Sequence, residues 1–259
     1  MGWPFFKNKQ QKSVPREFEL YDIHSHVLWG LDDGTATEDD AIAVLERYQD
    51  LGYRGVVATP HTNHRLFPTP PTATLESRIA ALAPHVARTG VKLKAGAEVM
   101  CVDDYVERLA MGSYASVGNA FLVEFENRPG HISMISEQIL FRLRVAGKTL
   151  ILAHPERYGD IQERPELAVH LKSRGMLMQI NLGSLVGRYG GRCQDVAWRL
   201  VENGIADIAA TDIHRLADFD GVSAALQELE KYSAKRCRHL VSTNPGYVFN
   251  GQVERIDEV

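Results

Sequence analysis

The 259-residue sequence has few cysteines, no long apolar run and no excess of positive charge. Cys101, Cys193 and Cys237 are scattered and odd in number, which argues against a disulfide framework and indicates a reducing, cytoplasmic compartment. No apolar run approaches the roughly 18 residues of a membrane span, and we expect no signal peptide because the N-terminus lacks an apolar segment. The formal net charge of −4 gives no basic field for nucleic-acid binding, so we expect no nucleic-acid partner.

The first 18 residues differ in composition from the rest of the chain. Three aromatic residues precede four basic ones, namely Trp3, Phe5, Phe6, Lys7, Lys9, Lys12 and Arg16. Such a segment fits a flexible tail, and it also fits peripheral contact with an anionic membrane surface. We therefore expect a tail at residues 1–18 and one catalytic domain at residues 19–259.

Short apolar runs alternate with longer segments of helical period, which is typical of repeated βα units around a parallel sheet. The predicted strands are residues 20–26, 55–61, 92–100, 120–126, 149–155, 177–183 and 205–214. The predicted helices are one capped by Thr37 that stops at Gly52, followed by residues 74–88, 103–111, 132–146, 164–174, 194–203 and 222–232. The pattern favours a single-domain α/β barrel, although a doubly wound open sheet has the same local periodicity.

Metal-binding side chains occur at the C-terminal ends of nearly all the predicted strands. They are His24, His26, His61, Glu98, Glu124, His154, Asp212 and His214. Residues two apart on a strand share a face, so the two histidines of the first strand converge on one point. Strand six differs because it ends in a neutral amide, Asn181. Barrel enzymes form their active sites at these strand ends, which makes the pattern a candidate active site.

The number and type of these side chains predict several metal ions. A single histidine at the end of an apolar run is more often structural, so the prediction depends on the joint pattern. Imidazoles and carboxylates in such numbers are costly to bury together unless cations neutralise them. Mixed nitrogen and oxygen ligands without thiolate suit manganese, iron or zinc rather than calcium or copper(I).

Five ordered motifs resemble the polymerase-and-histidinol-phosphatase (PHP) superfamily. They are HSH at the first predicted strand, TPH at the second, GAE at the third, AHPERY at the fifth and TDIH at the seventh. The stretches DIHSHVLWGLDDG, LVEF and QINLGSLVGRYG are similar to the CpsB/CapC-type bacterial manganese-dependent protein-tyrosine phosphatases of capsule and exopolysaccharide clusters. The resemblance extends from about Tyr21 to Tyr247.

The resemblance implies a distorted (β/α)7 barrel, the PHP fold, that holds three divalent metal ions. Manganese is the expected metal, with iron, zinc and magnesium as alternatives. The implied ligands are His24, His26, Glu98 and Asp212 for the first ion, Glu98, Glu124 and His154 for the second, and Asp32, His61 and His214 for the third. Asp33 directly follows Asp32, and the LDDG stretch that contains both also fits a turn.

The resemblance also implies that water acidified by the metal ions hydrolyses the phosphate ester. Arg157 and Arg215 are predicted to clamp the phosphate beside Asp32, since a guanidinium binds phosphate bidentately. The residues predicted to bind the rest of the substrate are His64, Arg65, Asn181, Arg188 and Tyr189. The implied substrate is a tyrosine-phosphorylated protein, namely a membrane-associated bacterial tyrosine kinase of polysaccharide export. Nothing in the sequence indicates an oligomeric state.

Other functions share parts of this pattern. Cys193 and Arg199 have the Cys-x5-Arg spacing of cysteine-dependent tyrosine phosphatases, but the intervening residues follow a helical period, which predicts that the cysteine is not a nucleophile. A small-molecule phosphomonoesterase, such as a histidinol-phosphatase, or a nuclease could use the same metal ions. A non-catalytic phosphotyrosine- or kinase-binding regulator is disfavoured, because no implied ligand is missing.

Overall fold

The structure is a computed structural model that describes residues 17–102, 105–116, 120–130, 132 and 137–256. Its strands are β1 (Leu20–Ser25), β2 (Tyr53–Ala58), β3 (His61–Thr62), β4 (Lys92–Ala95), β5 (Glu98–Met100), β6 (Ala120–Glu124), β7 (Thr149–Ala153), β8 (Leu177–Asn181) and β9 (Ile208–Ala210). Its α-helices are α1 (Glu38–Asp50), α2 (Thr72–Thr89), α3 (Tyr105–Met111), α4 (Glu137–Val145), α5 (Gly159–Glu163), α6 (Glu166–Ser173), α7 (Leu182–Leu185), α8 (Gly191–Glu202), α9 (Val222–Tyr232), α10 (Ala234–Arg238) and α11 (Asn244–Phe249). Most of the predicted tail lies outside the described residues.

Each predicted strand contains an observed strand, but two of them are interrupted. The second splits into β2 and β3 at Pro60, which has no backbone N–H to give to a strand ladder. The third splits into β4 and β5 at Gly96, where a Cβ atom would lie 2.8 Å from Cγ1 of Val57 on β2. Both interruptions fall just before residues of the predicted metal site, His61 and Glu98.

The helices follow the predicted order. Thr37 caps α1 through a capping box, in which the Asp40 amide donates to the Thr37 hydroxyl at 3.2 Å and the Thr37 amide donates to the Asp40 carboxylate at 3.0 Å. The helix predicted at residues 132–146 is observed from Glu137 to Val145. The short helices α5, α7, α10 and α11 were not predicted, because each is too short to show a helical period. No helix in the described residues combines the length and apolar content of a membrane span.

All the paired strands run parallel, which confirms the α/β class. One sheet has the order β1-β2-β4 and the other has the order β3-β5-β6-β7-β8-β9. Beyond the end of β1, the amide of His26 donates to the carbonyl of Ile213 at 2.8 Å, close to the end of β9. Parallel strands share one direction, so their C-terminal ends meet on one side of the molecule.

Apolar side chains pack on both sides of the strands. One buried cluster contains a residue from each of five strands, namely Ile23, Val57, Leu122, Ile151 and Ile208. A larger cluster joins the helices to the outer surfaces of the strands, and it includes Val44, Leu45 and Tyr48 of α1. Strands covered on both sides are nearly continuous apolar runs, so the polar residues at their ends stand out.

Candidate metal centre

The strand ends bring all eight predicted strand-end ligands, together with Asp33, into one continuous cluster. Four overlapping groups have ligand atoms within 4.8 Å of one another. They are His24 with Glu98 and His154; His24 with His26 and Asp212; His61 with Glu98 and Glu124; and His26 with Asp33, His61 and His214. The overlap means that neighbouring ions in the cluster would share residues.

Glu98 lies at the centre of the cluster, and its side chain is 1% exposed. Its Oε2 atom lies 3.3 Å from His24 Nε2, 3.4 Å from His26 Nε2 and 3.2 Å from His61 Nδ1. Its Oε1 atom lies 3.0 Å from His154 Nε2. A carboxylate that faces four imidazoles in this way could hold a cation together with them, and the bridging role of Glu98 stays a prediction.

Asp212 faces the same cluster from the loop after β9. Its Oδ1 atom lies 3.2 Å from His24 Nε2 and 3.5 Å from His26 Nε2. Behind it, Asp22 is fully buried on β1 and accepts hydrogen bonds from Tyr48 and Thr211. Asp22 thereby ties the start of the Asp212 loop to the strand that carries His24.

Mutual contact between acids and imidazoles shifts their pKa values in opposite directions. Burial would lower the pKa of His24, but the carboxylates of Glu98 and Asp212 raise it from 6.5 to about 9. Burial would raise the pKa of Glu98, but His24 and His154 hold it well below its usual range. Without metal, His24 therefore holds a proton in a position where a cation could replace it.

The third group contains Asp33, where the sequence predicted Asp32. Asp33 Oδ1 lies 3.5 Å from His61 Nε2 and 3.4 Å from His214 Nε2, and a hydrogen bond with His214 lowers its pKa to about 2. Asp32 is already committed to other contacts. It accepts from His26 Nδ1 at 2.7 Å and from the amides of His61 and Gly34 at 2.9 Å. Asp32 therefore orients His26, while Asp33 is free to face an ion.

The donor set fits divalent cations. Three buried polar atoms of the cluster have no hydrogen-bond partner among the described residues: His61 Nδ1, Glu124 Oε1 and His154 Nδ1. His61 Nδ1 and Glu124 Oε1 lie only 3.0 Å apart without hydrogen-bond geometry. Unpartnered buried polar atoms cost free energy, and a cation between them would remove that cost.

Two of the strand-end residues have strained backbones. His154 and Asp212 adopt left-handed conformations, with φ values of 37° and 55°, that residues other than glycine rarely adopt. Each such conformation costs on the order of 1–3 kcal/mol and persists only where the surroundings require it. The strain turns both side chains into the cluster at the point where their strands end.

Arg157 is the predicted clamp residue that reaches the cluster. Its Nη1 atom lies 3.1 Å from Asp212 Oδ2, and its guanidinium lies 4.8 Å from the centre of the Tyr189 ring. Arg188 lies on the same ring at 5.7 Å and donates to the carbonyl of Asp218 at 2.9 Å. Arg157, Arg188 and Tyr189 thus form one stacked group at the edge of the cluster.

Arg215 does not join this group, in contrast to the prediction. Its side chain is 76% exposed, and its Nε atom lies 3.7 Å from Asp218. Asp218 Oδ2 accepts from the backbone amides of His214 and Arg215, which fixes the turn and leaves the Arg215 side chain in solvent. The motif position alone did not reveal the direction of this side chain.

Aromatic rings also lie against the cluster, beside His61. The ring of Phe67 stacks on that of His61 with centroids 5.3 Å apart and an interplanar angle of 5°. His64 stacks on both rings, at 4.8 Å from His61 and 5.0 Å from Phe67. Arg65 points away from this stack to Glu126, at 2.8 Å.

Asn181 was predicted to bind substrate, but the structure buries it completely. Its Nδ2 atom donates to Asp212 Oδ2 at 2.7 Å, and its backbone amide donates to Glu156 at 2.9 Å. Gln179, two residues earlier on β8, is also fully buried and accepts from His24 Nδ1 at 2.8 Å. Asn181 therefore contacts a metal-site carboxylate and does not lie on the substrate rim.

The sequence matches the CpsB/CapC family, described as capsular polysaccharide synthesis, over residues 20–250. The chain belongs to the CpsB/CapC family. Among its relatives, tyrosine-protein phosphatase YwqE of Bacillus subtilis is 28% identical, with 90% of this chain and 92% of the relative aligned. Tyrosine-protein phosphatase CpsB of Streptococcus pneumoniae is 25% identical, with 90% of this chain and 100% of the relative aligned.

Solved structures agree with the family assignment. A chain from the crystal structures of YwqE and CpsB, described as metal-dependent tyrosine phosphatases, matches with a TM-score of 0.80 and 28% identity. The match covers 90% of this chain and 95% of the matched chain. Dihydropyrimidinase from Brevibacillus agri matches with a TM-score of 0.57 and 12% identity, covering 93% and 73% of the two chains. This second likeness concerns the fold alone.

Cys193 of this CpsB/CapC protein lies in the first turn of α8, as the helical period predicted. Its thiol is buried and contacts Gln162, and burial raises its pKa. A nucleophilic cysteine needs a lowered pKa and backbone amides that are free to hold phosphate. The helix around Cys193 and Arg199 provides neither, so the cysteine mechanism has no support in this structure.

Sequence reasoning missed several residues of the site, and some of them left a signal. Gln179 shares a strand face with Asn181, since the two are two residues apart on β8. Asp33 was visible only as the neighbour of Asp32, and the turn that separates their roles depends on Gly34. Phe67 left no signal, because an aromatic residue in a loop has many possible roles.

The raised pKa of His24 predicts how the metal-free CpsB/CapC protein responds to pH. Because the folded pKa of His24 is about 9 and the unfolded value is 6.5, its stabilising effect is complete below pH 6.5 and lost as pH rises through 9. With chelator present, the free energy of unfolding should fall by up to about 3 kcal/mol over this range. Urea denaturation at several pH values measures this fall, with His24→Gln as the control that should make it smaller. Some dependence should remain, because neighbouring carboxylates also raise the pKa values of His26 and His61 against the effect of burial. A stability that rises from pH 6.5 to 9 would contradict this account.

Proposed function

We propose that this protein is a metal-dependent protein-tyrosine phosphatase. The observation that carries the proposal is the cluster of imidazoles and carboxylates with Arg157 at its edge and aromatic rings on both sides. The cluster suits divalent ions, the guanidinium suits phosphate and the rings suit a phosphotyrosine side chain. The names of the relatives YwqE and CpsB support the same activity.

The proposed centre holds three divalent ions, with manganese as the preferred metal. The resemblance, with Asp33 in place of Asp32, implies that His24, His26, Glu98 and Asp212 would hold one ion, Glu98, Glu124 and His154 a second, and Asp33, His61 and His214 a third. All of these residues belong to the overlapping groups of the cluster. When bound, the ions would acidify a water molecule and neutralise the phosphoryl oxygens. The mixture of imidazole and carboxylate ligands without thiolate fits manganese as well as iron or zinc, and the preference for manganese follows the resemblance to the family.

The exposure of the ligands suggests where the phosphate enters. Glu98 and His26 form a buried floor, whereas the side chain of Asp33 is 55% exposed. Arg157 is half-buried at the same open edge, so its guanidinium can take a phosphoryl oxygen while Asp212 keeps it in place. Stacking on Tyr189 holds the guanidinium plane, which favours bidentate contact with phosphate.

The aromatic rings beside the cluster would form a slot for the phosphotyrosine ring. Phe67 and His64, which stack on each other and on His61, would form one side, and Tyr189, beside Arg157, would form the other. A flat substrate ring between aromatic faces gains stacking that an alkyl phosphate does not. Arg188, also at this edge, would contact acidic groups of the flanking peptide.

We propose that the strands close into a distorted (β/α)7 barrel. Taking β2 with β3 and β4 with β5 as single positions, the two sheets give seven positions in chain order. The parallel bridge between Ser25 and Ile213, beyond the end of β9, supports contact between the first and last positions. The apolar cluster with one residue from each of five strands fits the interior of such a barrel.

The proposed substrate is a tyrosine-phosphorylated protein, namely a membrane-associated bacterial tyrosine kinase of polysaccharide export. The description of the family as capsular polysaccharide synthesis supports this choice. The proposed location is the cytoplasm, which the three free cysteines support. Contact of the tail with the membrane stays a prediction, since residues 1–16 lie outside the described residues.

Phosphate release from a phosphotyrosine peptide tests the activity. Chelation should abolish release and added Mn²⁺ should restore it, while the Cys193→Ser variant should release phosphate at the unchanged rate. A small alkyl phosphate serves as the comparison substrate. Release that resists chelation would contradict the metal mechanism, and a preference for the small ester would favour a small-molecule phosphomonoesterase. Metal-loaded protein that releases no phosphate from either substrate would favour a regulator.

Replacing Phe67 tests the aromatic slot. Phe67→Leu keeps an apolar side chain but removes the ring face, so KM for the peptide should rise roughly 2- to 10-fold, as expected for one aromatic contact. Turnover of the small alkyl phosphate and the bound Mn²⁺ content should stay unchanged. Phe141→Leu is the matched control, because Phe141 is 66% exposed on α4. An unchanged peptide KM, or an equal loss on both substrates, would contradict the slot.

A further inference from the structure

The eighth strand contributes no metal ligand, yet two of its side chains contact ligands. Gln179 and Asn181 lie on the same face of β8, and both are fully buried. Gln179 Oε1 lies 2.8 Å from His24 Nδ1, Gln179 Nε2 lies 2.9 Å from Asn181 Oδ1, and Asn181 Nδ2 lies 2.7 Å from Asp212 Oδ2. The two amides therefore connect His24 to Asp212 by an unbroken chain of hydrogen bonds.

The charge of Asp212 fixes the direction of this chain. An ionised carboxylate only accepts, so Asn181 must present its NH₂ group to Asp212 and its carbonyl to Gln179. Gln179 must then donate to Asn181, which turns its own carbonyl to His24. That carbonyl can accept only from a protonated Nδ1, so the Nε2 lone pair of neutral His24 faces the metal site.

Other contacts prevent the side-chain amide of Gln179 from turning over and hold the backbone next to it. The NH₂ group of Gln179 donates to the carbonyl of Ile180 at 2.8 Å as well as to Asn181, so both of its hydrogens are used. A flipped Gln179 would place its oxygen against two other carbonyl oxygens. The backbone amide of Asn181 is held by Glu156 at 2.9 Å, and Glu156 also accepts from Ser184.

The chain also selects which oxygen of Asp212 faces the metal site. Asp212 Oδ2 accepts from both Asn181 and Arg157. Asp212 Oδ1 is left 3.2 Å from His24 Nε2. The chain thus leaves these two facing atoms, Asp212 Oδ1 and His24 Nε2, outside its own hydrogen bonds.

We propose that Gln179 and Asn181 form an amide relay that positions His24 and Asp212 and sets the affinity of the ion these two residues hold. The inference rests on the proposed metal centre and not on the phosphatase activity. Neutral amides suit this role because they orient both ligands without adding a charge to the buried site. A carboxylate in either position would place another negative charge beside Asp212 or His24. Gln179 and Asn181 are positioning residues, since neither contacts an ion or substrate.

Mn²⁺ titration of the metal-stripped full chain tests the relay without any substrate. Gln179→Met and Asn181→Leu keep the side-chain volume but break the chain. Each should weaken the binding of one Mn²⁺ ion by about 10- to 100-fold, the usual effect of removing a group that orients a ligand, and leave the other ions in place. The double variant should have the same affinity for that ion as the single variant with the lower affinity, because both changes break the same chain.

Asn244→Leu is the matched control. Asn244 is also a buried amide, and it donates to the carbonyl of Asp207 at 2.8 Å, just before the opposite end of β9. The Asn244→Leu variant should lose as much free energy of unfolding as the relay variants do, and it should keep its Mn²⁺ affinities. If a relay variant fails to fold, Asn181→Ser removes the donor to Asp212 with a smaller change and carries the same expectation.

Unchanged Mn²⁺ affinities in folded relay variants would overturn the proposal, as would an equal loss in Asn244→Leu. Strictly additive losses in the double variant would overturn the coupling between the two amides. Because the titration measures metal alone, a protein that binds Mn²⁺ normally but releases no phosphate would refute the proposed function and leave the relay intact.

Discussion

The structure depends on one buried carboxylate, Glu98, that faces four imidazoles. Carboxylates and imidazoles share this buried space only because each compensates the other, through protons in the metal-free state or through cations. The opposing pKa shifts of His24 and Glu98 express that mutual dependence. The strained backbones of His154 and Asp212 show that the surrounding fold holds the cluster together against a local cost.

The parallel strands explain how so many polar groups meet without disrupting the core. Apolar residues such as Ile23 and Ile151 fill the space between the strands. The residues of the cluster lie near the C-terminal ends of the strands or directly after the interruptions at Pro60 and Gly96. The strand without a ligand, β8, supports its neighbours through Gln179 and Asn181. The buried Asp22 supports the opposite side by joining β1 to Thr211.

The open side of the cluster differs from its floor. Asp33 and Arg157 reach solvent, whereas Glu98 does not. Phe67 stacks on His61, which contacts Asp33, and Tyr189 lies against Arg157. In the proposed function the guanidinium would take the phosphate, and these rings would contact the phosphotyrosine side chain.

The sequence predicts the strand-end residues well, because alternation along a strand and the common direction of parallel strands are local rules. His24, Glu98 and Asp212 could be placed from spacing and motifs alone. The sequence does not show which of Asp32 and Asp33 faces His61 and His214. The outcome depends on which of the two carboxylates accepts hydrogen bonds from the amides of Gly34 and His61.

The sequence also did not predict the direction in which two side chains point. Arg215 follows a ligand motif, yet Asp218 holds its backbone so that the guanidinium enters solvent. Asn181 ends a strand as the ligands do, yet its amide turns inward to Asp212. Both outcomes depend on partners distant in sequence or on a turn that no periodicity reveals.

The most direct test of this account is the position of Mn²⁺ in crystals of the protein, located by anomalous X-ray scattering. We expect more than one anomalous Mn²⁺ peak within the cluster. Glu98 should lie between two of these peaks, and Asp33 should lie beside the peak that is most exposed to solvent. A cluster that binds no Mn²⁺ in saturating metal, or peaks confined to other parts of the surface, would contradict it.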